Sequence, residues 1–256
     1  MEKSQLLFLL GGADLEMQTI RETLQTEGIP YVDHHLRWDN ALLSSYQKVL
    51  QLVGTGCTVY GVELQEDILP PTNYRTIDHH NQLSSMPTAL EQVMDLLHIP
   101  MNRYTQLVAA NDRAYIPGMM AIGATIEEIE YIRLVDRRTQ GVTKEDEHLA
   151  EKAISEHLEK VGNLTIVYAK SSHFSPICDR LFPFHKLVVY SDYEWVYYGK
   201  DMESVRSLFA EESILGNLFY GGGKDGYVGV KQHIYQKAEI EEMVSRIIKK
   251  ETDELL

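Results

Sequence analysis

The sequence is poor in cysteine, in long apolar runs and in clustered positive charge, and each shortage removes a class of protein. Only two cysteines occur, Cys57 and Cys178, far apart in the chain. They suggest neither a disulfide framework nor a zinc ribbon, and they read as small core residues. No run approaches the roughly 18 apolar residues of a membrane span, and the opening Met1-Glu2-Lys3-Ser4 lacks a secretory layout. The expectation is a cytoplasmic protein. Bases number 24 against 38 acids, a formal net charge of −14, with no block of five or six like charges. A long nucleic acid would meet a repulsive mean field, whereas a small phosphorylated ligand needs only locally gathered cations or a metal. Within 256 residues, 44% hydrophobic and 24% charged side chains are enough for one large domain or two smaller ones.

The residues most unlike core material are in Thr76-Ile77-Asp78-His79-His80-Asn81. An apolar run ends there in an acid and two imidazoles. Adjacent side chains at a strand tip point in opposite directions, so one histidine can take a metal or phosphate while the other reaches a second partner. Imidazole with carboxylate suits Mn, Fe or Zn better than Ca. The triplet is echoed by Asp33-His34-His35, after a Pro-started segment with a shorter strand signal.

Strand signals recur along the first hundred residues. Leu6 to Leu10 is an apolar run closed by Gly11-Gly12, and Ile29 to Val32, Thr58 to Val62 and Tyr74 to Ile77 follow. Amphipathic stretches, Met17 to Glu27 and Ala41 to Val53, separate the first three, and Pro70-Pro71 breaks the chain before the fourth. Such alternation implies a parallel βαβ sheet with a site along the carboxyl edge. Asp14 and Glu16 after the first strand are either helix caps or edge carboxylates, and Glu63 is delivered by the third strand. Helical spacing returns over Thr88 to Leu97 and from Thr105 through Asn111-Asp112-Arg113-Ala114-Tyr115. Asp112 is either a solvated helix end or a further carboxylate aimed at the site.

Thr125 to Gln140 and Lys144 to Val161 read as amphipathic connectors without chemistry. Beyond Gly162, Leu164 to Tyr168 is strand-like, Pro176 to Phe182 helical, Lys186 to Tyr190 and Glu194 to Tyr198 a hairpin, and Lys237 to Lys250 a closing helix. The expected organisation is an α/β domain over 1–123 with a parallel sheet flanked by helices, a helical linker over 124–162, and a smaller mixed α/β domain over 163–256. In the last of these, Tyr220-Gly221-Gly222-Gly223-Lys224-Asp225-Gly226-Tyr227-Val228-Gly229 packs five glycines into nine positions. Backbone N–H groups there can approach a phosphate with Lys224 as a point charge, or the segment is a flexible turn. It is not a P-loop, since no Ser or Thr follows the lysine.

Taken together, an acid pair after strand one, an acid after strand three, Asp78-His79-His80 after strand four, a later acid and a Gly-rich loop in a second domain resemble the DHH phosphoesterase superfamily. The resemblance implies a metal-dependent hydrolase acting on a dinucleotide, short oligonucleotide or similar substrate, with Mn or Mg as cofactor. It places Asp14, Glu16, Glu63, Asp78, His79 and Asp112 as metal ligands and Asp78, His79 and His80 in catalysis. His80, Arg113, Gly221, Gly222, Gly223 and Lys224 are the implied substrate contacts. Two ions bridged by a carboxylate such as Asp78 would activate a shared water. The chain departs from the pattern in having Leu10-Gly11-Gly12 where the family has a histidine, Glu at two Asp positions, and Lys224 where a histidine is common. The lost histidine implies a weaker or single-metal site. The alternative is a catalytically lapsed DHH-like binding or regulatory protein.

Overall fold

The computed structural model describes residues 5–37 and 40–254, and these fall into two compact units, Met1–Gly141 and Val142–Leu256. In the first, β1 (Leu6–Leu10), β2 (Tyr31–Asp33), β3 (Thr58–Val62) and β4 (Tyr74–Ile77) form a sheet of order β2-β1-β3-β4, parallel throughout. Phe8, Leu9 and Leu10 are fully buried on the central strand, as a parallel strand covered on both faces must be. Each such side chain contributes about 1.5 to 3 kcal/mol by leaving water. One face is covered by a cluster around Leu9, Leu43, Tyr46, Val59 and Tyr74.

The helices of this unit are α1 (Leu15–Thr26), α2 (Gln47–Leu52), α3 (Ala89–Leu96), α4 (Arg103–Ala121) and α5 (Ile126–Thr139). Helix α1 contacts α3, α4 and α5. Thr88 with Glu91 and Thr125 with Glu128 form reciprocal caps that set the starts of α3 and α5. The stretch Ala41 to Val53, expected as one helix, is a 3-10 turn over Leu43–Tyr46 followed by the six-residue α2. There Leu43 N–H donates to the Gln65 carbonyl and Tyr46 turns its hydroxyl onto the Leu10 carbonyl, so tertiary bonds replace helical ones. Helix α4 is longer than expected and broken, with Ala114 at φ −156° and Tyr115 at φ 56°. Pro117 explains the break: it lacks an N–H, and its ring would strike the Arg113 carbonyl one turn back.

The second unit holds α6 (Lys144–His157), β5 (Leu158–Val161), β6 (Leu164–Tyr168), α7 (Ser175–Leu181), β7 (Lys186–Tyr190) and β8 (Trp195–Gly199). Then follow α8 (Met202–Leu208), α9 (Ala210–Ile214), β9 (Leu218–Gly221), β10 (Tyr227–Val230) and α10 (Lys237–Asp253). Its mixed six-stranded sheet runs β5-β6-β7-β8-β10-β9, with only β6 and β7 parallel. One face buries Trp195, Tyr197, Ile240 and Ile247, the other Val167, Ile177, Leu187 and Val189.

The segment 124–162 is divided between the units, α5 packing on α1 and α4 while α6 packs on β5, β6 and α7. The last four residues expected in the Lys144 to Val161 helix are strand β5, because Gly162, at φ 57°, turns the chain back so that Leu158–Val161 pairs with β6. No helix among the described residues is long and apolar enough to cross a membrane.

Candidate metal centre

All four strands of the first sheet are parallel, so their carboxyl ends share one edge, and three elements deliver side chains to it. His79 follows β4, Glu63 follows β3 and Glu16 is in the first turn of α1. Asp112 reaches the same place from α4, two residues ahead of its break. One ligand atom from each of Glu16, Glu63, His79 and Asp112 falls within 4.8 Å of the others. From His79 Nε2 the distances are 2.7 Å to Asp112 Oδ2, 3.5 Å to Glu63 Oε1 and 3.6 Å to Glu16 Oε2. Two ligands about 2.1 Å from one ion, at tetrahedral or octahedral angles, are themselves roughly 3.0 to 3.4 Å apart. The spacing fits a shared cation.

Burial makes the case stronger. Side-chain exposure is 1% for Glu16, 7% for Glu63 and His79, and 14% for Asp112. Glu16 Oε2, Glu63 Oε1, His79 Nε2 and Asp112 Oδ2 are buried atoms without a hydrogen bond of normal geometry, the 2.7 Å approach included. Buried polar atoms are almost always paired, so four unpaired ones converging on a point mark a missing partner. Burial pushes the Glu63 carboxyl well up, against the pull of His79 and with Glu16, Asp14 and Asp112 adding repulsion. Burial raises Asp112 too, with His79 opposing and Glu16 assisting. Burial would lower His79, yet contacts to Asp112, Glu16 and Glu63 hold it far above the usual imidazole range. Burial and the crowding of three carboxylates together disfavour the charged acids, and one divalent ion on oxygen and nitrogen donors would neutralise that crowding.

Local structure aims each ligand. Leu90 N–H, at the start of α3, holds Glu16 Oε1 at 2.9 Å and leaves Oε2 to point into the cluster. Glu63 has φ 52°, a left-handed conformation costly for a non-glycine residue and stored here at a candidate ligand. The turn that admits it is Gly11: a Cβ there would lie 2.4 Å from the Glu63 carbonyl oxygen and 2.6 Å from that of Val62. Arg133 of α5 donates to Asn111 Oδ1 at 2.9 Å and to Asp136 Oδ2 at 2.6 Å, and stacks over the Tyr115 ring. Asp136 Oδ1 in turn accepts from Leu15 N–H at 3.3 Å. This buried network fixes the α4 break beside Asp112, on a helix read from sequence as a plain connector. Its only sequence signal was Arg133 and Asp136 spaced three apart.

Other expected site residues lie outside the four-atom cluster. Asp14 caps α1, its Oδ1 accepting from Met17 N–H at 2.9 Å. Burial pushes its carboxyl up to about 6, with Asp112 adding to the rise and the Met17 N–H opposing it. Asp78 Oδ1 accepts from His80 N–H at 2.8 Å and meets His80 Nδ1 at 2.9 Å. Burial acts to raise Asp78, but the His80 bonds prevail and its carboxyl lies low; the same bond raises His80. His80, half-exposed, can join Glu63 and His79 as a three-member donor group. Arg113 is tied to Glu91 Oε2 at 2.8 Å and to the Met86 carbonyl. The echo triplet is structural: Asp33 pairs with Arg21 at 2.5 Å and His34 stacks on Tyr46.

In the second unit the glycine-rich segment is the tip of the β9–β10 hairpin. Gly222 and Gly223 have φ 75° and 69°, and a Cβ on Gly226 would lie 1.8 Å from the Gly221 carbonyl oxygen. The glycines are thus required by the hairpin itself, whatever else the N–H groups bind. The Lys224 side chain lies outside the described residues.

No protein-family model matches the chain, and no curated protein matches it in sequence. Solved structures do match. The DHH domain of a member of a ribosomal-protein family superposes with TM-score 0.56 at 11% identity, over 98% of this chain and 87% of that one. The chain has the DHH-domain fold. A pGpG-specific phosphodiesterase from Vibrio cholerae shares it, with TM-score 0.51 at 10% identity, over 97% of this chain and 99% of that one. Asp78-His79-His80 follows β4, at the sheet edge just described.

Proposed function

We propose that the protein is a metal-dependent phosphoesterase acting on a short phosphorylated substrate, of the class of dinucleotides and short oligonucleotides. One observation carries this reading: four buried donor atoms without hydrogen bonds, from Glu16, Glu63, His79 and Asp112, meet at the carboxyl edge of a parallel sheet. The fold shared with a pGpG-specific phosphodiesterase supports the substrate class. The net charge of −14 favours a short ligand over a long nucleic acid.

The four residues would hold Mn or Mg, which when bound supplies charge neutralisation at phosphorus and an acidified water. The protein's own groups divide the remaining work. Asp78 holds the His80 ring through Nδ1, leaving the other ring nitrogen to carry a proton to or from a phosphate or leaving oxygen at the half-exposed rim. Glu16 is held in place by the Leu90 N–H, and Asp112 is presented by α4 just ahead of its break, so both donors are fixed before an ion arrives. Arg113 can meet a phosphate on leaving Glu91. Backbone N–H groups of Gly221, Gly222 and Gly223, with Lys224, are the proposed phosphate contacts of the second unit.

Hydrolysis of a linear 5′-phosphorylated diribonucleotide in Mn-containing buffer tests the reading. Asp78→Ala and His79→Ala should each lose about 10²-fold or more in kcat with the fold retained, the scale expected when a positioned proton carrier or ligand is removed. Wild-type turnover in His79→Ala would remove the centre from the reaction, and wild-type turnover in Asp78→Ala would remove the Asp78–His80 pair from it. A second reading, a binding protein that has lost catalysis, is favoured by the rise of His79, whose protonated ring alone offsets part of the carboxylate charge. Absence of any bound Mn, Zn or Fe with no hydrolysis would favour it.

A further inference from the structure

The second unit carries a cleft that neither the buried cluster nor the glycine-rich tip uses, and its walls follow from strand register. Tyr168 and Tyr190 end the parallel strands β6 and β7 as direct partners, so both rings leave one face of the sheet, the face of Ile166. Gly162 turns β5 back so that Glu159 lies opposite Ile166 and shares that face. Lys237 and Glu241, one turn apart at the start of α10, close another side, with Glu156 and His157 from the end of α6 beside them. The cleft holds about 270 Å³, just below the roughly 300 Å³ at which sites for drug-sized molecules begin. The glycine-rich tip lies at the other end of these strands: β8 reverses direction, Gly199 pairs with Lys186 at the start of β7, and Tyr198 pairs with Tyr227.

Rings and acids dominate the lining. The Tyr168 and Tyr190 centroids are 5.3 Å apart with planes at 58°, and His157 meets Tyr168 edge-on at 5.5 Å. Around them stand Glu156, Glu159 and Glu241 against one lysine. That lysine is already engaged. Lys237 Nζ is 2.9 Å from Asp192 Oδ1, which also accepts from the Tyr168 hydroxyl at 2.8 Å, and it lies 5.3 Å from the Tyr168 ring centroid. The protein thus seats a cation of its own on one of the two rings. Glu156 has Lys152 at 3.8 Å and Glu241 has the shared Lys237 at 4.0 Å, while Glu159 has no ion pair among the described residues. Burial raises the Tyr190 hydroxyl, and Glu159 and Glu241 both add to the rise, so the two acids converge on the second ring.

We propose that this cleft binds a guanidinium group, stacked on Tyr190 with its N–H fork reaching Glu159 and Glu241. An anion would meet three carboxylates, and a neutral nucleobase would stack while leaving the carboxylates unanswered. A compact ammonium answers the charge, but a planar, weakly hydrated cation uses ring face and carboxylates together.

Ethylguanidinium is the probe, with ethylammonium as its control, each titrated into the full ¹⁵N-labelled chain at low salt and followed by amide chemical shifts. Ethylguanidinium should shift the amides of Glu159, Ile166, Tyr190 and Glu241, bind more tightly than ethylammonium, and weaken as salt is added. Glu159→Gln together with Glu241→Gln should weaken binding about 10-fold, two exposed ion pairs being lost. Tyr190→Leu should weaken it about 3-fold or more, and Tyr190→Phe, which keeps the ring, should stay near wild type. The paired Glu substitutions are on exposed side chains, so they decide the matter if Tyr190→Leu fails to fold. Gly-Arg-Gly run alongside identifies the source: tighter binding than ethylguanidinium assigns the cleft to an arginine side chain, weaker binding to a free guanidino compound. Equal affinity for ethylammonium would overturn the proposal, as would shifts spread over the acidic surface and unchanged in the paired Glu variant.

Discussion

Asp14→Asn should make the protein more stable, and the gain should grow with pH. Asp14 is 5% exposed, and burial with the nearby Asp112 charge sets its carboxyl at about 6 in the folded chain against 3.8 for an ordinary aspartate. The gap of roughly 2 pH units corresponds to about 3 kcal/mol at 1.36 kcal/mol per unit. The folded chain binds the proton more tightly than the unfolded one. Stability from this group is therefore complete below 3.8, falls as pH rises, and is gone above about 6. At about pH 5 roughly half of the penalty is felt, and at about pH 8 all of it. Asparagine accepts the same bond from the Met17 N–H and caps helices as well as aspartate, but carries no charge. Its buried amide N–H groups return part of the gain, so a net gain of about 1 to 3 kcal/mol is expected at about pH 8. Urea unfolding in chelator at the two pH values reads this as a midpoint rise of roughly 1 M at the higher pH. A variant less stable than wild type at about pH 8, or equally changed at both, would show that Asp14 is neither buried nor repelled as described.

Two further substitutions probe how the backbone presents the groups. Gly11→Ala forces a Cβ to within 2.4 Å of the Glu63 carbonyl, so β1 or the Glu63 turn must move; a loss of about 1 to 3 kcal/mol and weakened Mn²⁺ binding are expected by denaturation and calorimetry. Gly222→Val places a β-branched residue at φ 75°, costing about 1 to 2 kcal/mol in the second unit. It should raise KM for the phosphorylated substrate while Mn content stays unchanged. An unchanged KM would make the loop a hairpin tip and nothing more.

Much of the architecture was open to periodicity. Leu6–Leu10, Thr58–Val62 and Tyr74–Ile77 are apolar runs short enough to be strands, and α3 and α5 carry their caps in Thr88-Glu91 and Thr125-Glu128, signals that involve neighbours in the chain. Elements whose identity depends on distant partners escaped. Leu158–Val161 continues a helical pattern yet pairs with β6, and α8, α9, β9 and β10 are short pieces whose burial is set by the sheet they join.

The candidate site divides the same way. The kinds of residue present at strand ends, acids and paired imidazoles on an acidic chain without cysteine ligands, determined that any cation would meet oxygen and nitrogen. Which four atoms meet was decided by tertiary structure alone: the Leu90 N–H turning Glu16, the Gly11 turn admitting Glu63, and the Pro117 break with Arg133 seating Asp112. The same structure committed Asp14 to a cap and Asp78 to His80. Spacing along a chain records which side chains lie near each other locally, whereas a carboxylate's orientation follows from the hydrogen-bond donors that packing brings to it.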